Sequence, residues 1–432
     1  LSFTHTDLSH WVLPEAALAM MSALALWLIL KYHAAPFAKH AAIAALVCGL
    51  AISTKYNAGL LVLPLLLAVG LKQWGDWKAA AGHAALAIGC LAAGFLLGSP
   101  YWLISFESYW SVLQYTFSHV DAGMVGHMTA APVIGPLFDL IVNDWTVGVL
   151  AVTGLVYALT RRESHSLLLL AFALPTVVVV GLWQRSGVHY LAPVLPALAV
   201  LAGVFLSRLL KETKRPAARA ALLALLFVHA FLKIAHHDIC LSRTDTRTHA
   251  QKWIEQHLPL ESMVAYENYV YGPNLFDPAR FVKNEEEGGL VPGPIKERLL
   301  AESLRRRTYR LVNLRKDFKL KFLAEAPDSS NDKNAYVRQL LENRLPRLSS
   351  VAKAGVPYLV ASSDNYFRYF DQPAPPKGTP VWLSYNNGRR FYQSLFESES
   401  WRMLQEFTPG FWTPGPTIRV YGRNPEAGPD EE

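Results

Sequence analysis

The sequence predicts a multi-pass α-helical membrane domain followed by a soluble α/β domain. Two observations carry this prediction: eight apolar stretches fill the first 236 residues, and Lys and Arg lie almost entirely in alternate gaps between them. Most of the stretches approach the ~20 residues that a helix needs to cross ~30 Å of hydrocarbon. We therefore expect a transmembrane domain of about eight helical segments over residues 1–236. The stretches are Trp11–Leu30, Ala41–Ser53, Asn57–Leu71, Ala79–Leu97, Leu137–Leu159, Leu167–Trp183, Tyr190–Leu210 and Ala217–Ala235.

The placement of the basic residues predicts the orientation of this domain. One set of gaps carries pairs or triplets of Lys and Arg, whereas the other set carries only Lys55 and Arg185. The long gap at residues 99–136 contains neither Lys nor Arg. By the positive-inside rule the basic gaps are cytoplasmic. The N-terminus, a large external loop at residues 99–136 and everything after His237 are then expected outside.

Residues 237–432 are predicted to form an external α/β domain. The three cysteines (Cys48, Cys90 and Cys240) allow no disulfide framework there, so a packed core must stabilise it. The formal net charge of +7 is scattered and partly reflects topology, so no nucleic-acid partner is expected. Helices are predicted at 245–257, 295–306 and 334–345. Strands are predicted at 263–271, 309–314, 358–361 and 417–421. Residues 373–380 are predicted to form a loop, and residues 423–432 a disordered acidic tail.

The apolar run at residues 41–71 is too long for one span and is interrupted at Thr54-Lys55-Tyr56. A Lys at the centre of a spanning helix costs ~2.5–3.5 kcal/mol, so it normally lines a cavity or reaches an interface. Two interpretations stay open: Lys55 reaches the outer headgroups, or it holds a lipid phosphate. The turn Gln184–Tyr190 offers a second outward cation, Arg185, which is equally interpreted as a loop charge in water.

The external loop is rich in aromatic residues and is expected to contribute to an interfacial belt, with a helix at 106–117 lying on the membrane surface. His119, Asp121 and His127 have loose spacing, and no Cys or Glu completes a ligand set, so we predict no metal site. Asp139, Asn143 and Asp144 near the outer end of the next helix are either interfacial or part of a polar cleft. No phosphate-binding glycine loop, nucleophile elbow or paired-cysteine zinc motif is present.

Several segments, in order along the chain, resemble the GT-C membrane glycosyltransferases. These include protein O-mannosyltransferases, the lipid A aminoarabinose transferase and lipopolysaccharide core transferases. Gly49–Tyr56 resembles the family's "Gly-x-x-x-x-Thr-Lys" break, and His189–Pro196 resembles its "Arg-Tyr-Leu-x-Pro-x-x-Pro". Further similar segments are Asp7 before the first stretch ("Thr-Asp"), Ser99–Trp102 with Phe106 and Gly126–His127 (the external loop), and Asp245–Ile254 (the first helix of the outer domain).

The resemblance implies a GT-C-like fold and transfer of a sugar from a polyprenyl-phosphate carrier to a lipid, glycan or protein acceptor. The reaction would be of the inverting type, at the outer face of a bacterial inner membrane, with the C-terminal domain periplasmic. The lipid-linked sugar is then a substrate; no cofactor is assigned, and metal dependence stays open. The donor phosphate would be held by Lys55, Tyr56, Arg185, His189 and Tyr190, and the cleft candidates are Asp7, Asp121 and His127.

The catalytic residues are expected upstream of Leu1. In this family the catalytic Asp lies in the first external loop, and the chain starts about 100 residues later in that architecture. As given, the polypeptide is therefore expected to be inactive or incompletely recorded. His189 departs from the family, which commonly has Arg there, so Arg185 is a candidate substitute.

The competing prediction is a non-catalytic protein: a transporter, or a membrane scaffold whose outer domain binds a partner. Transporters usually show inverted repeats with interrupted helices in corresponding halves. Only one clear interruption, at Lys55, is visible in this sequence. A scaffold would not require a buried Lys at an interrupted helix.

Overall fold

The computed structural model describes residues 2–10, 13–126, 133–185, 187–277, 307–318 and 344–424, together with residues 297 and 301. Element labels below number the elements within these ranges. The chain divides into two compact units. The first unit contains the described residues up to Gly123 and those between 133 and His237. The second unit contains residues 124–126 and the described residues from Asp238 onwards.

The first unit is built from α-helices and two short 3₁₀-helices. The 3₁₀-helices are Tyr56–Leu61 and Val188–Leu191. The α-helices are α1 (Phe3–His10), α2 (Glu15–Ala34), α3 (Ala38–Thr54), α4 (Val62–Lys72), α5 (Trp77–Gly98), α6 (Tyr101–Ile104), α7 (Phe106–Ala122), α8 (Gly135–Asn143), α9 (Trp145–Arg161), α10 (Ser164–Leu182), α11 (Leu195–Glu212) and α12 (Pro216–Leu241).

Among the described residues, four helices are long and apolar enough to cross a membrane. They are α2, α5, α10 and the helical stretch Pro216–His257, which begins with α12. In the most apolar 18-residue segment of α5, only 11% of the segment is buried within the protein, and in the corresponding segment of Pro216–His257 only 6% is buried. An apolar helix surface left so open would be unfavourable in water by ~25 cal/mol per Å², whereas lipid tails match it. These helices therefore indicate an association with a membrane.

The fifth predicted stretch, Leu137–Leu159, differs from expectation because Asp144 divides it into α8 and α9. Asp144 is buried, and its side chain caps α9 by accepting hydrogen bonds from the Val147 N–H (3.5 Å) and the Thr146 hydroxyl (3.0 Å). Its second oxygen accepts from the Ser2 hydroxyl (2.9 Å) and the Thr4 N–H (3.2 Å). The carboxylate therefore fastens α1 to the start of α9, a structural role that the sequence left open.

Helices α3 and α5 pack closely through two glycines. A Cβ atom built on Gly94 would lie 2.1 Å from the carbonyl oxygen of Leu46, and one on Gly49 would lie 2.1 Å from that of Leu91. Real Cβ atoms do not approach so closely, so both positions require glycine at the present helix separation.

Replacing Gly94 by alanine is expected to destabilise the first unit by about 1–3 kcal/mol, because the added methyl group must push the two backbones apart. Unfolding of the detergent-solubilised protein by a denaturing surfactant measures this. The matched control is Gly89→Ala on the same helix, where a Cβ meets nothing within 4 Å. We expect that control to be neutral or to stabilise by up to about 1 kcal/mol. Equal effects of the two substitutions would contradict close packing at Gly94.

The second unit contains a five-stranded mixed sheet of order β2-β1-β3-β5-β4. β1 pairs in parallel with β2 and β3, whereas β5 pairs antiparallel with β3 and β4. The strands are β1 (Met263–Tyr266), β2 (Arg310–Asn313), β3 (Tyr358–Ser362), β4 (Trp401–Phe407) and β5 (Ile418–Arg423). The helices are α13 (Thr246–His257), α14 (Leu348–Lys353), α15 (Ser363–Phe370) and α16 (Pro380–Glu397), with a 3₁₀-helix at Tyr269–Tyr271.

The predicted helix at 245–257 and strands at 309–314, 358–361 and 417–421 are confirmed within one or two residues. The predicted strand at 263–271 ends at Tyr266, and a 3₁₀ turn follows. Strand β4 and helices α14 to α16 were not predicted. The predicted helix at 295–306 falls almost wholly outside the described residues. Of the predicted disordered tail at 423–432, Arg423 is instead the last residue of β5, and the residues after Asn424 lie outside the described residues. So does the helix at 334–345, of which residues 344 and 345 are described and are not helical.

The predicted external loop contributes to the second unit. Val125 is buried in the same hydrophobic core as Leu359 of β3 and Tyr385 of α16. The second unit and this part of the 99–136 segment therefore lie on the same side of any membrane that the chain crosses. Within that segment, α7 confirms a helix at the predicted 106–117 and extends it to Ala122.

Candidate functional site

The interruption at Lys55 is a true break in the helix. α3 ends at Thr54, Lys55 has an extended backbone (φ −163°, ψ 133°), and a 3₁₀-helix starts at Tyr56. The hydroxyl groups of Ser53 and Thr54 both donate to the Leu50 carbonyl in the last turn of α3, 2.7 and 3.0 Å away. The extended backbone at Lys55 turns its side chain away from the continuous i, i+4 rows of α3.

Lys55 is paired with a carboxylate that the sequence analysis missed. The ammonium Nζ donates to Oε1 of Glu15 at 2.6 Å, where Glu15 is the first residue of α2. The Glu15 side chain is 2% exposed and that of Lys55 is 26% exposed. A signal for Glu15 existed, because it is the only acid in the stretch Trp11–Leu30. An ionisable residue inside an apolar span normally pairs with a residue of opposite charge. Such a pair is a candidate functional site.

The second oxygen of this carboxylate, Oε2, is buried and has no hydrogen-bond partner among the described residues. An unsatisfied buried acceptor costs about 1–3 kcal/mol, and more when it is charged. Such an atom favours a hydroxyl donor or a water at the site. The ammonium of Lys55 likewise has three donors, of which Glu15 takes one.

Tyr190 brings a second cation to the same place. Lys55 Nζ lies 5.3 Å from the Tyr190 ring centroid, and the guanidinium carbon of Arg185 lies 6.0 Å from it. Both distances allow attraction between the cation and the aromatic ring. The His189 ring centroid is 4.1 Å from that of Tyr190, and Asn57 Nδ2 donates to the Tyr190 carbonyl at 3.0 Å. Lys55, Arg185, His189 and Tyr190 therefore form one cluster, together with Glu15.

The turn before Tyr190 depends on a glycine. A Cβ atom on Gly187 would lie 2.6 Å from the His189 ring, so only glycine lets that ring fold back over the turn. The Nε atom of Arg185 is buried without a hydrogen-bond partner among the described residues. With His189 counted as neutral, Lys55, Arg185 and Glu15 sum to a formal charge of +1. A cluster of this charge with an unused guanidinium donor is suited to an anion.

The other predicted site residues lie elsewhere. Tyr56 packs its ring edge-on against Tyr109 of α7, with centroids 6.2 Å apart. Asp7 faces His237, whose Nε2 lies 3.4 Å from its carboxylate, and Asp121 is exposed near the end of α7. His127 lies outside the described residues. Within the described ranges, no group of three or more His, Cys, Asp or Glu side chains could hold a metal ion.

A separate polar cluster occupies the second unit at the carboxyl ends of β1 and β2. Glu267 is 2% exposed, and Arg315 contacts its Oε1 through both Nε (2.9 Å) and Nη2. Tyr369 donates to Oε1 at 3.1 Å, and Tyr392 donates to Oε2 at 2.6 Å. Both carboxylate oxygens are thus satisfied by side chains from α15, α16 and the turn after β2.

The charges of this cluster set the pKa of the buried carboxyl. Burial acts to raise the pKa of Glu267, but Arg315, Arg368 and the Tyr392 hydroxyl outweigh it and hold that pKa below its usual range. Burial beside the carboxylate raises the pKa of Tyr392 well above its usual range. The cluster is therefore an ionised carboxylate held by neutral phenols and one guanidinium. Because its donors are already used internally, it is better suited to stability than to binding.

A cavity of about 680 Å³ opens on one face of the same sheet. Val264, Leu311 and Val360 line its floor, and an ion pair stands at its polar rim, where the Arg247 guanidinium donates to both oxygens of Asp245 at 2.8 and 2.7 Å. Burial raises the pKa of Asp245, yet the bonds from Arg247 lower it by more, so the net pKa is below the usual value. The pair is therefore ionised and self-neutralising, which makes it a poor anion site compared with the Lys55 cluster.

No protein-family model matches the chain, and no curated protein matches it.

Proposed function

We propose that the chain acts as a membrane glycosyltransferase that moves a sugar from a polyprenyl-phosphate carrier to a lipid, glycan or protein acceptor. The observation that carries the proposal is the cluster of Lys55, Arg185 and Tyr190 at a broken apolar helix, with net positive charge and unused donors. An interrupted apolar helix with a cation at the break is a costly feature, which a lipid phosphate would justify. The four membrane-length helices and the motifs along the chain support the same class of function.

The proposed chemistry places the leaving phosphate at Lys55 and Arg185. When the acceptor hydroxyl attacks the anomeric carbon, the bond from that carbon to the carrier phosphate breaks, and negative charge grows on the phosphate. Two free ammonium donors of Lys55 and the Nε of Arg185 would stabilise that charge in a site poor in water. Glu15 positions Lys55 in this scheme, and a carboxylate that acts as the general base takes the acceptor's proton.

The proposed topology places this cluster on the outer face of a bacterial inner membrane, with the second unit periplasmic. Lys55 and Arg185 are the only cations of the outward gaps. The burial of Val125 in the core of the second unit supports a common side for the 99–136 loop and the C-terminal residues. These are the segments that the charge pattern assigns to the outside.

Binding of the carrier tests the proposal without knowledge of the sugar. The full-length protein, including any coding sequence that precedes Leu1, is reconstituted in nanodiscs and titrated with a long-chain polyprenyl phosphate or the matching polyprenol. We expect the phosphate form to bind at least ~10-fold more tightly, as one charge-assisted hydrogen bond of about 1.5–3 kcal/mol would provide. Arg185→Gln should abolish most of this preference.

The matched control for that experiment is Arg208→Gln, which removes the same charge from an exposed pair with Glu212 on α11. It is expected to leave the preference for the phosphate form unchanged. Equal binding of polyprenol and polyprenyl phosphate by the unsubstituted protein would reject the donor site. A radiolabelled polyprenyl-phosphate sugar then tests transfer: label that reaches no acceptor fraction, from a protein that binds the carrier, would favour a carrier-binding scaffold or transporter.

A further inference from the structure

The connection between β4 and β5 presents two large aromatic side chains at the tip of a tight turn. Phe411 is 71% exposed and Trp412 is 49% exposed. Gly410 and Thr413 close the turn around them with reciprocal backbone hydrogen bonds of 3.1 and 3.2 Å. The two rings pack edge to face with centroids 4.7 Å apart. The backbone of the turn is therefore held by hydrogen bonds, and it presents the two apolar rings at the surface in a defined position.

The base of this turn is fixed to the segment that follows α12. The Thr246 N–H donates to the Pro414 carbonyl at 2.9 Å, and the Thr246 hydroxyl donates to that of Pro416 at 2.6 Å. Gly415 has φ +108°, and a Cβ there would lie 2.3 Å from Oγ1 of Thr246, so glycine is required for this approach. At the tip itself, the Cys240 thiol of α12 lies 3.5 Å from the Phe411 carbonyl oxygen.

The position along α12 sets the expected depth of the tip. From Ala217 to Ala235 the helix rises about 27 Å, which is close to the thickness of the hydrocarbon core. Cys240 lies about 7.5 Å farther along the axis, and the headgroup layer on each side is about 5–7 Å thick. If α12 crosses the membrane, the turn that touches Cys240 is at the outer edge of the lipid headgroups, within reach of the aromatic side chains.

The chemistry around the tip matches that level. Ile239 and Leu241, the neighbours of Cys240 along α12, are exposed, so this end of the helix also presents apolar side chains. Arg243 and His249 line a cleft together with Trp412, and Arg243 is exposed. Trp side chains are enriched at the headgroup level, and a neighbouring cation is attracted to lipid phosphates.

We propose that Phe411 and Trp412 form an interfacial anchor, which inserts into the headgroup layer of the membrane beside the end of α12 and fixes the second unit on the lipid surface. This inference rests on the proposed membrane crossing of α12. It does not depend on the nature of any sugar or acceptor. Exposed aromatic side chains next to a cation are suited to the headgroup layer, where Trp is enriched and lipid phosphates attract the cation.

The test uses the full-length protein, labelled with 5-fluorotryptophan and reconstituted in nanodiscs. Trp412→Phe identifies the Trp412 fluorine resonance, Trp27→Phe that of Trp27 on α2, and Trp382→Phe that of Trp382 on α16. Phosphatidylcholine spin-labelled near its headgroup is then added. We expect loss of the Trp412 resonance and of the Trp27 resonance, while Trp382 persists.

The two failures are distinguishable. If the Trp27 resonance is lost but that of Trp412 persists, the first unit lies in the membrane as proposed and the anchor is rejected. If neither resonance is affected, the proposed membrane domain fails and the anchor fails with it. Loss of Trp382 together with Trp412 would also reject the anchor, since the second unit would then lie on lipid through a broad face.

Discussion

Replacing Arg315 by methionine is expected to destabilise the second unit by about 3–5 kcal/mol, because it leaves the buried Glu267 carboxylate without its cation. The Arg315 side chain is 21% exposed and meets Glu267 through two nitrogens, so methionine fills much of the volume but none of the charge. Hydrogen exchange of the peptides that contain β1 and β3 measures the loss in the intact protein.

Two further variants separate loss of the ion pair from a general effect of the substitution. Arg402→Met removes a cation from an exposed position of β4 and is expected to change stability by less than about 0.5 kcal/mol. Glu267→Gln combined with Arg315→Met removes both charges and should recover most of the lost stability. A double variant no more stable than Arg315→Met would contradict an uncompensated carboxylate as the cause.

The pH dependence has a definite sign. The pKa of Glu267 is below its ordinary value of 4.5 in the folded protein. Its contribution to stability is therefore complete above that value and is lost as the pH falls through the lower folded pKa. Without Arg315, burial dominates and the pKa of Glu267 rises above the ordinary value. The difference in stability between the unsubstituted protein and Arg315→Met should accordingly shrink as the pH is lowered from 7 towards 4.5.

The sequence predicts part of this architecture because apolar length and charge placement are local signals. The break at Lys55 was predictable, since a cation and two polar neighbours interrupt an apolar run. Its partner was not: Glu15 is 40 positions away and was counted inside an apolar stretch, and only the packing of α2 against α3 brings the two together. The link from Asp144 to α1 escaped for the same reason, because its partners Ser2 and Thr4 lie more than 100 positions away.

The missed elements of the second unit have physical causes of their own. Strand β4 lies at the edge of the sheet, and an irregularity between Met403 and Gln405 breaks its alternation of inward and outward side chains. Helix α16 has Asn386, Asn387 and Gly388 at its centre, which are residues of low helix propensity. In the fold, that glycine makes room for the Tyr369 ring, since a Cβ there would lie 2.3 Å from Cζ.

Replacing Lys55 by methionine is expected to reduce transfer from a polyprenyl-phosphate sugar by a factor of about 10²–10³, the usual effect of removing one group that stabilises developing charge. The same substitution leaves the Glu15 carboxylate buried and unpaired, so loss of activity alone could reflect a loss of folding. The variant Glu15→Gln keeps the ammonium, and Glu15→Gln with Lys55→Met removes both charges. The four proteins form a double-mutant cycle, measured for both stability and transfer in reconstituted full-length protein.

The two readouts of this cycle should differ. Stability should be lowest in Lys55→Met and recover in the double variant, because the cost there is an unpaired buried charge. Transfer should follow Lys55 alone: retained at a reduced level in Glu15→Gln, and lost in both variants that lack the ammonium, even in the stable double variant. Should the double variant regain transfer with its stability, Lys55 would serve only to neutralise Glu15, and the donor phosphate would have to be held by Arg185 without it.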